Sequence, residues 1–132
     1  MEVTLSPIPV LFVFSKNGAP GASAAFNALE KKLPNLKKRR FYGVLEGLPE
    51  TGVYRACIGI MEGDDPKAMG LETWTIPGGK YARAKIKNWS DHLKDIGPTF
   101  SQLENQYKKD SNRPLIEYYR SDNELLLFLP IK

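Results

Sequence analysis

The chain has 132 residues, of which 42 % are apolar and 26 % charged, and its 19 basic and 15 acidic residues give a net charge of +4. These fractions are ordinary for a globular protein and exclude a disordered chain. A membrane span is also excluded, because the longest apolar run, Ile8–Phe14, is far shorter than the roughly 20 residues that a spanning helix needs. No secretory leader is predicted. The single Cys57 lies in an apolar run, so we expect a cytoplasmic protein with a buried thiol.

The first half of the chain predicts a strand, a helix and two further strands. Val10–Phe14 is a short continuous apolar run, which is typical of a buried strand. Apolar residues at helical spacing follow between Pro20, which can open a helix, and Pro34, which stops it. Two strands come next, the second with alternating apolar residues, at Phe41–Leu45 and Tyr54–Ile60.

The second half repeats this order after an additional strand. Leu71–Ile76 is predicted to form a hairpin with Tyr81–Lys87 through a Pro-Gly-Gly turn. A second helix carries its apolar stripe from Leu93 to Tyr107, with Pro98 near the start of its main part. Two strands close the chain, at Leu115–Tyr119 and Leu125–Leu129. The last one is apolar on both faces, so we expect it inside the sheet and not at its edge.

Two short motifs indicate an internal duplication. Residues 25–30 and 99–104 share the pattern Phe-x-x-Leu-Glu at a separation of 74 residues. At the same separation, residues 41–45 fall on residues 115–119. Phe26 and Phe100 occupy equivalent helix positions in this alignment. We therefore expect replacement of either one by Ala to destabilise the protein by about 3–5 kcal/mol.

The duplication predicts one domain, residues 1–132, with pseudo-repeats at about 8–62 and 70–132. Each repeat is a strand–helix–strand–strand unit that buries too little apolar surface to fold alone. The predicted fold class is α+β, with an antiparallel sheet covered by two main helices.

The only dense group of charges is Lys37–Arg40. A short basic run of this kind is typical of a solvated edge, a helix end or a strand start. No nucleic-acid-binding motif accompanies it, so no direct nucleic-acid partner is predicted. A protein partner that uses this edge stays open.

Glu117 is the residue that points most directly to function. It lies in the middle of a predicted strand, and alternation places it on the same face as Leu115 and Tyr119. A carboxylate in such a run is rare unless it is edge-exposed, paired or functional. Two interpretations are open. One is a solvent-facing side chain paired with a cross-strand Lys or Arg. The other is a carboxylate at the floor of an aromatic pocket, where it would attract a cation or work as an acid or base with a raised pKa.

Both tryptophans, Trp74 and Trp89, fall in the second unit. Most aromatic side chains are core residues, but a Trp-rich wall beside a carboxylate would suit a lipophilic cation. Trp89 is the best single candidate for that wall, because it lies in the corner before the second helix, where pockets open.

Other catalytic chemistry has little support. His92 is the only histidine, and it could be a general base, although the first turn of a helix is more typical of a surface or capping position. One His and one Cys far apart in sequence predict no zinc site. The Gly78-Gly79-Lys80 segment lacks the spacing of a phosphate-binding loop and is predicted to be a turn. No metal and no cofactor are predicted.

Three segments resemble GyrI-like small-molecule-binding domains. Gly70–Ala82 is similar to the hairpin of that family, and Leu115–Tyr119 and Leu129–Lys132 are similar to its closing motifs. The duplicated strand–helix–strand–strand plan is also the fold of the family. The haem-binding SOUL proteins share this fold, but only His92 could be an axial ligand here, so no haem is expected.

The resemblance implies a ligand pocket between the two halves of the chain. Family members serve as effector-binding domains of AraC-type and MerR-type bacterial transcription regulators, and others stand alone as gyrase-inhibitory or toxin-sequestering proteins. The position of Glu117 matches the family's buried acidic residue, which contacts cationic lipophilic ligands. Tyr119 matches the aromatic residue two positions on.

Three functions are therefore predicted, in order of preference. The first is non-catalytic binding of a lipophilic, cationic small molecule in a central pocket, in which Glu117 supplies the negative charge. The second is a small hydrolase of strained or toxic compounds, in which Glu117 activates water or protonates a leaving group. The third is a protein-interaction module whose binding depends strongly on salt. The residues predicted to contact the small molecule besides Glu117 are Tyr119, Trp89, Trp74, Tyr42, Phe14 and His92.

Overall fold

The computed structural model describes residues 1–132 as eight strands and three α-helices, which confirms the predicted α+β fold class. The strands are β1 (Glu2–Leu5), β2 (Ile8–Phe14), β3 (Phe41–Glu46), β4 (Val53–Gly59), β5 (Glu72–Ile76), β6 (Gly79–Lys87), β7 (Leu115–Tyr119) and β8 (Glu124–Pro130). The helices are α1 (Ala22–Lys31), the single turn α2 (Pro66–Met69) and α3 (Ile96–Gln106), with 3-10 turns at Ala19–Gly21, Trp89–Asp91 and Leu93–Asp95. None of the helices is both long and apolar enough to cross a membrane.

All eight strands form one antiparallel sheet in the order β1-β6-β8-β7-β3-β4-β2-β5. β7 and β3 are the two central strands. Strands from the first half of the chain lie on the β3 side, and strands from the second half lie on the β7 side, except that β1 and β5 form the outer edges. The two predicted units thus occupy opposite halves of the sheet, while the duplication itself stays a prediction.

The two ends of the sheet curl toward each other. Ser6-Pro7 links β1 to β2, and Pro77-Gly78 links β5 to β6, although each pair of strands lies near opposite ends of the sheet order. A link of two residues spans at most roughly 11 Å between the Cα atoms that flank it, so the two ends must approach each other. The hairpin predicted between β5 and β6 is therefore wrong. β5 pairs with β2, and β6 pairs with β1 and β8, because the Pro-Gly turn crosses the open seam of the curled sheet.

The sequence analysis also missed β1. This strand has only four residues, which alternate between exposed and half-buried, so it carries almost no apolar signal. The opposite holds for β8, where all residues but the first are buried. β8 lies between β6 and β7, which confirms the interior position predicted from its two apolar faces.

Both long helices begin where the prolines allow them to. Pro20 lies in a 3-10 turn directly before α1, and α1 ends before Pro34. Pro98 lies in the first turn of α3, where backbone N–H groups have no partner within the helix, so its missing N–H is tolerated. Most residues of the predicted apolar stripes face the sheet, with Leu29 of α1 fully buried and Phe100 of α3 only 7 % exposed. Leu93 does not, because it lies in a 3-10 turn before α3 and is 54 % exposed.

The two helices pack on the same face of the sheet, each over its own cluster of buried residues. The α1 cluster contains Leu11, Ala25, Leu29, Ala56, Ile58 and Leu71. The α3 cluster contains Ala82, Ile86, Phe100, Leu103, Leu125, Leu127, Leu129 and Ile131. The opposite, concave face of the sheet has a third cluster of Val10, Phe12, Tyr42, Val44, Cys57, Ile76, Tyr81, Ile116, Leu126 and Phe128. The sheet therefore separates two apolar layers, and a side chain belongs to one or the other according to its position in the alternation.

The basic run Lys37–Arg40 forms an exposed loop before β3, as predicted. Arg39 departs from its neighbours, because its guanidinium donates two hydrogen bonds of 2.7 Å to the carboxylate of Asp64. This bidentate pair ties the loop to the segment that follows β4, and the Arg39 guanidinium holds the pKa of Asp64 below its usual value.

Candidate functional site

Glu117 lies at the centre of the sheet, on the face that carries the two long helices. The register of β3 and β7 places it directly opposite Gly43. Leu115 and Tyr119 pack against the α3 cluster, whereas Ile116 belongs to the cluster on the opposite face. The alternation predicted along β7 is therefore confirmed, and Glu117 faces the gap between the α1 and α3 clusters.

Two tyrosine hydroxyls hold one oxygen of the Glu117 carboxylate. The Tyr54 hydroxyl donates a hydrogen bond to Oε1 over 2.7 Å, and the Tyr119 hydroxyl donates one to the same atom over 3.0 Å. The second oxygen, Oε2, receives no hydrogen bond from the protein, and no Lys, Arg or His forms an ion pair with the carboxylate. The interpretation of Glu117 as one half of a cross-strand ion pair is thus wrong.

Partial removal from water and the two tyrosines act on the pKa of the Glu117 carboxyl in opposite directions. Burial raises the pKa of the Glu117 carboxyl above its ordinary value, because the loss of hydration disfavours the charged form. The two tyrosine hydrogen bonds act in the opposite direction, since they stabilise the carboxylate. Burial and the nearby carboxylate also raise the pKa values of Tyr54 and Tyr119, so both hydroxyls stay protonated and remain donors.

Aromatic rings surround the carboxylate and its two tyrosines. The centroid of the Tyr119 ring lies 5.0 Å from that of Trp89 and 5.5 Å from that of Phe26, both in edge-to-face contact. Phe26 also lies edge-on to Tyr54 at 6.4 Å. These contacts join α1, β4, β7 and the 3-10 turn at Trp89–Asp91. We call the five residues Glu117, Tyr54, Tyr119, Phe26 and Trp89 the Glu117 site.

Trp89 reaches this position from a short turn that is itself anchored. Its indole Nε1–H donates a hydrogen bond of 2.9 Å to the backbone carbonyl of Ser121, in the loop between β7 and β8. Trp89 therefore lies beside Tyr119, on the same face as Glu117.

Two members of the site were not predicted from the sequence. Tyr54 was assigned to the third strand of the first unit and Phe26 to the helix stripe, both as core residues. The alternation of β4 does place Tyr54 on the same side as Ala56 and Ile58, which face α1. The sequence carried no sign that β4 lies close enough to β7 for a hydroxyl to reach Glu117, because β3 separates the two strands.

Three predicted contact residues lie on the other face of the sheet. Tyr42 precedes Gly43, so its side chain points away from Glu117 and stacks on Tyr118 with centroids 4.9 Å apart. Phe14 and Trp74 lie on that face as well, around the guanidinium of Arg55, whose Cζ is 5.1 Å and 4.1 Å from their ring centroids. The structure does not bring these residues to Glu117, since the curled sheet separates them from it.

The backbone N–H of His92 donates a hydrogen bond of 2.9 Å to the carbonyl of Trp89, but the His92 side chain forms no hydrogen bond or ion pair with Glu117. The Nδ1 atom of His92 lies 3.2 Å from Oδ2 of Asp95, and its side chain is 51 % exposed. It lines an open surface depression of about 360 Å³ between β6 and α3. A second depression of about 470 Å³, at the end of β2, is lined by Phe14. Neither depression contains Glu117, which lies half-buried among the aromatic rings.

Several solved structures of other proteins share the fold of this chain. No family model and no curated protein matches the chain. An integron cassette protein from the mobile metagenome of Vibrio cholerae covers 100 % of this chain and 95 % of its own at 12 % identity, with a TM-score of 0.74. The protein SAV2435 bound to tetraphenylphosphonium covers 100 % and 93 % at 11 % identity, with a TM-score of 0.62. This chain shares their fold.

Two further structures widen the range of functions found on this fold. A candidate bacterial transcription regulation protein from Staphylococcus aureus covers 100 % of this chain and 97 % of its own at 12 % identity, with a TM-score of 0.57. A hydrolase from Listeria innocua covers 100 % and 91 % at 11 % identity, with a TM-score of 0.59. These likenesses are consistent with the resemblance to GyrI-like domains. At such low identity they show a common fold and assign no function, since one fold supports many.

Proposed function

We propose that this protein binds a lipophilic cation at the Glu117 site, as an effector-binding or toxin-sequestering protein. The observation that carries the proposal is a carboxylate at the centre of the sheet with no cationic partner in the protein and with aromatic rings around it. A carboxylate that is partly removed from water and has no cationic partner is costly, so proteins retain one mainly where it has a function.

The site offers a cation both charge and aromatic surface. Oε2 of Glu117 is free to face a positive charge, while both tyrosine hydroxyls hold Oε1. Aromatic rings attract cations through their negative faces, and they bury the apolar groups of a lipophilic ligand at the same time. The tetraphenylphosphonium bound by a protein of the same fold is a molecule of this class, which supports the proposal.

Glu117 and Trp89 are only half-buried, so solvent reaches the site, but a ligand as large as tetraphenylphosphonium also needs the aromatic rings to move. The Trp89 side chain is the best candidate, because it belongs to a 3-10 turn and not to a long helix, and its ring is tied by one hydrogen bond to Ser121. Moving this ring away from Tyr119 would open a path to Glu117 without breaking the sheet.

We expect Glu117→Gln to weaken the binding of tetraphenylphosphonium at least tenfold, which is roughly 1.4 kcal/mol. The amide keeps the size of the side chain and its ability to accept from the tyrosines, but it carries no charge. Isothermal titration calorimetry at neutral pH measures the difference, and tryptophan fluorescence gives an independent signal. Glu72→Gln is the matched control, because it removes an exposed carboxylate on β5.

Neutral triphenylphosphine oxide separates charge from apolar contact. It should bind the wild type and Glu117→Gln with similar affinity. Equal affinity of both proteins for tetraphenylphosphonium would contradict the proposed role of the carboxylate.

A second candidate function is hydrolysis. Burial raises the pKa of Glu117, which suits a group that protonates a leaving group or activates water, and a hydrolase shares this fold. This function predicts a loss of the bound compound with time in the wild type that Glu117→Gln abolishes. Mass spectrometry of the ligand after incubation distinguishes turnover from binding alone.

A further inference from the structure

We propose that Gly43 is a positioning residue of the Glu117 site, because its missing side chain creates the notch in which the Glu117 carboxylate and the Tyr54 hydroxyl meet. Its effect on ligand affinity rests on the function proposed above. Its effect on the position of the carboxylate does not.

The geometry leaves no room for a side chain at this position. A Cβ atom on Gly43 would lie 2.0 Å from the Tyr54 hydroxyl oxygen and 2.3 Å from Oε1 of Glu117. Non-bonded heavy atoms are not found at such distances, so at least one of the two groups would have to leave. Tyr54 is only 2 % exposed, and its hydroxyl is held at the end of a packed ring, so it has little freedom to yield.

The backbone does not require glycine here. Gly43 lies in the middle of β3 and is not among the glycines with positive φ. Glycine within a strand is destabilising relative to Ala by roughly 0.5–1 kcal/mol. The structure explains Gly43 by the space that the Glu117 carboxylate needs.

The predicted duplication explains why the two positions compete. The alignment at 74 residues places Gly43 on Glu117, and the sheet pairs these same two residues across its central strands. Equivalent positions of the two halves therefore meet at one point on the helix-facing side of the sheet. Only one half can place a side chain there, and the carboxylate of the second half occupies that space.

The test uses Gly43→Ala, with Gly59→Ala as the matched control. Gly59 is also a strand glycine, but a Cβ atom there would meet only ordinary contacts at 3.8 Å and 4.0 Å. We expect Gly43→Ala to weaken tetraphenylphosphonium binding at least about tenfold and Gly59→Ala to change it less than about twofold. Wild-type affinity in Gly43→Ala would overturn the inference.

A second readout needs no ligand. NMR titration of the Glu117 carboxyl carbon reports its environment directly, and we expect the titration midpoint to move in Gly43→Ala and to stay unchanged in Gly59→Ala. If the wild type binds no cation, the proposed function fails while this titration still decides the role of Gly43. An unchanged midpoint in Gly43→Ala would overturn that role.

A double-mutant cycle distinguishes a local clash at Gly43 from a general loss of stability. Tyr54→Phe removes the atom nearest to the added Cβ, so Gly43→Ala should destabilise the protein less in the Tyr54→Phe background than in the wild type. Urea unfolding of the four proteins measures the coupling. An equal loss of stability in both backgrounds would show that the notch does not depend on the Tyr54 hydroxyl and would overturn the inference.

Discussion

Replacing Phe100 by alanine is expected to lower the free energy of unfolding by about 3–5 kcal/mol. Phe100 is 7 % exposed and belongs to the cluster that attaches α3 to β6 and β8. Its removal leaves a cavity that neighbouring strands cannot fill, because they are hydrogen-bonded on both sides. Urea unfolding at equilibrium measures the change as a lower midpoint with an unchanged slope.

Two other substitutions serve as comparisons for Phe100→Ala. Leu93→Ala, at a side chain that is 54 % exposed, should change stability by less than about 0.5 kcal/mol. Phe26→Ala should lose less than Phe100→Ala, about 1–3 kcal/mol, because Phe26 is only partly buried. The structure therefore revises the expectation that the two phenylalanines contribute alike. A Phe100→Ala midpoint equal to that of the wild type would contradict the role of α3 in the core.

Cation binding is expected to weaken as the pH falls through the pKa of Glu117. Below that pKa, the charged fraction of the carboxyl falls about tenfold for each unit of pH, and the affinity should fall by up to the same factor. Above it, the affinity should reach a plateau that persists into alkaline solution, because the pKa values of Tyr54 and Tyr119 are both raised. Tetraphenylphosphonium suits the measurement, since its charge does not titrate.

The same carboxyl has a second, opposite signature in protein stability. The folded-state pKa of Glu117 is raised, so its contribution is fully present below the unfolded pKa and is lost as the pH rises through the folded pKa. Asp64 behaves in reverse, because its pKa is lowered and its contribution is lost at more acidic pH. In Glu117→Gln, the free energy of unfolding should therefore no longer fall as the pH rises toward neutral. Its decrease at acidic pH, which comes from groups such as Asp64, should remain. Affinity that is independent of pH in the wild type would contradict a charged Glu117 in binding.

The two members of the Glu117 site that were predicted beside Glu117, Tyr119 and Trp89, come from the same half of the chain as Glu117. Alternation within β7 was sufficient to predict that Tyr119 lies on the face of Glu117. The position of Trp89 in the corner before α3 was sufficient to predict it as a site residue. Tyr54 and Phe26 come from the other half of the chain and meet Glu117 only through the strand order. Tyr42 was predicted to contribute to the site from the first unit, but the register gives the face of Glu117 to its neighbour Gly43.

The resemblance to a known family had a similar limit. Its motifs indicated the acidic residue and the aromatic residue two positions on, and both lie in the Glu117 site. The hairpin motif at residues 70–82 indicated a local pairing that does not occur, because both strands have partners elsewhere in the sheet.

Local patterns in the chain were enough to define the two long helices, most of the strands, the interior position of β8 and the face of Glu117. These properties depend on neighbours within a few residues, and they follow from backbone periodicity, apolar spacing and proline. Strand order and register depend on contacts between residues far apart in the chain, and no local pattern specifies them. The tertiary structure alone therefore decided that Gly43 lies opposite Glu117, that Tyr54 reaches its carboxylate, and that Phe14, Tyr42 and Trp74 lie on the opposite face.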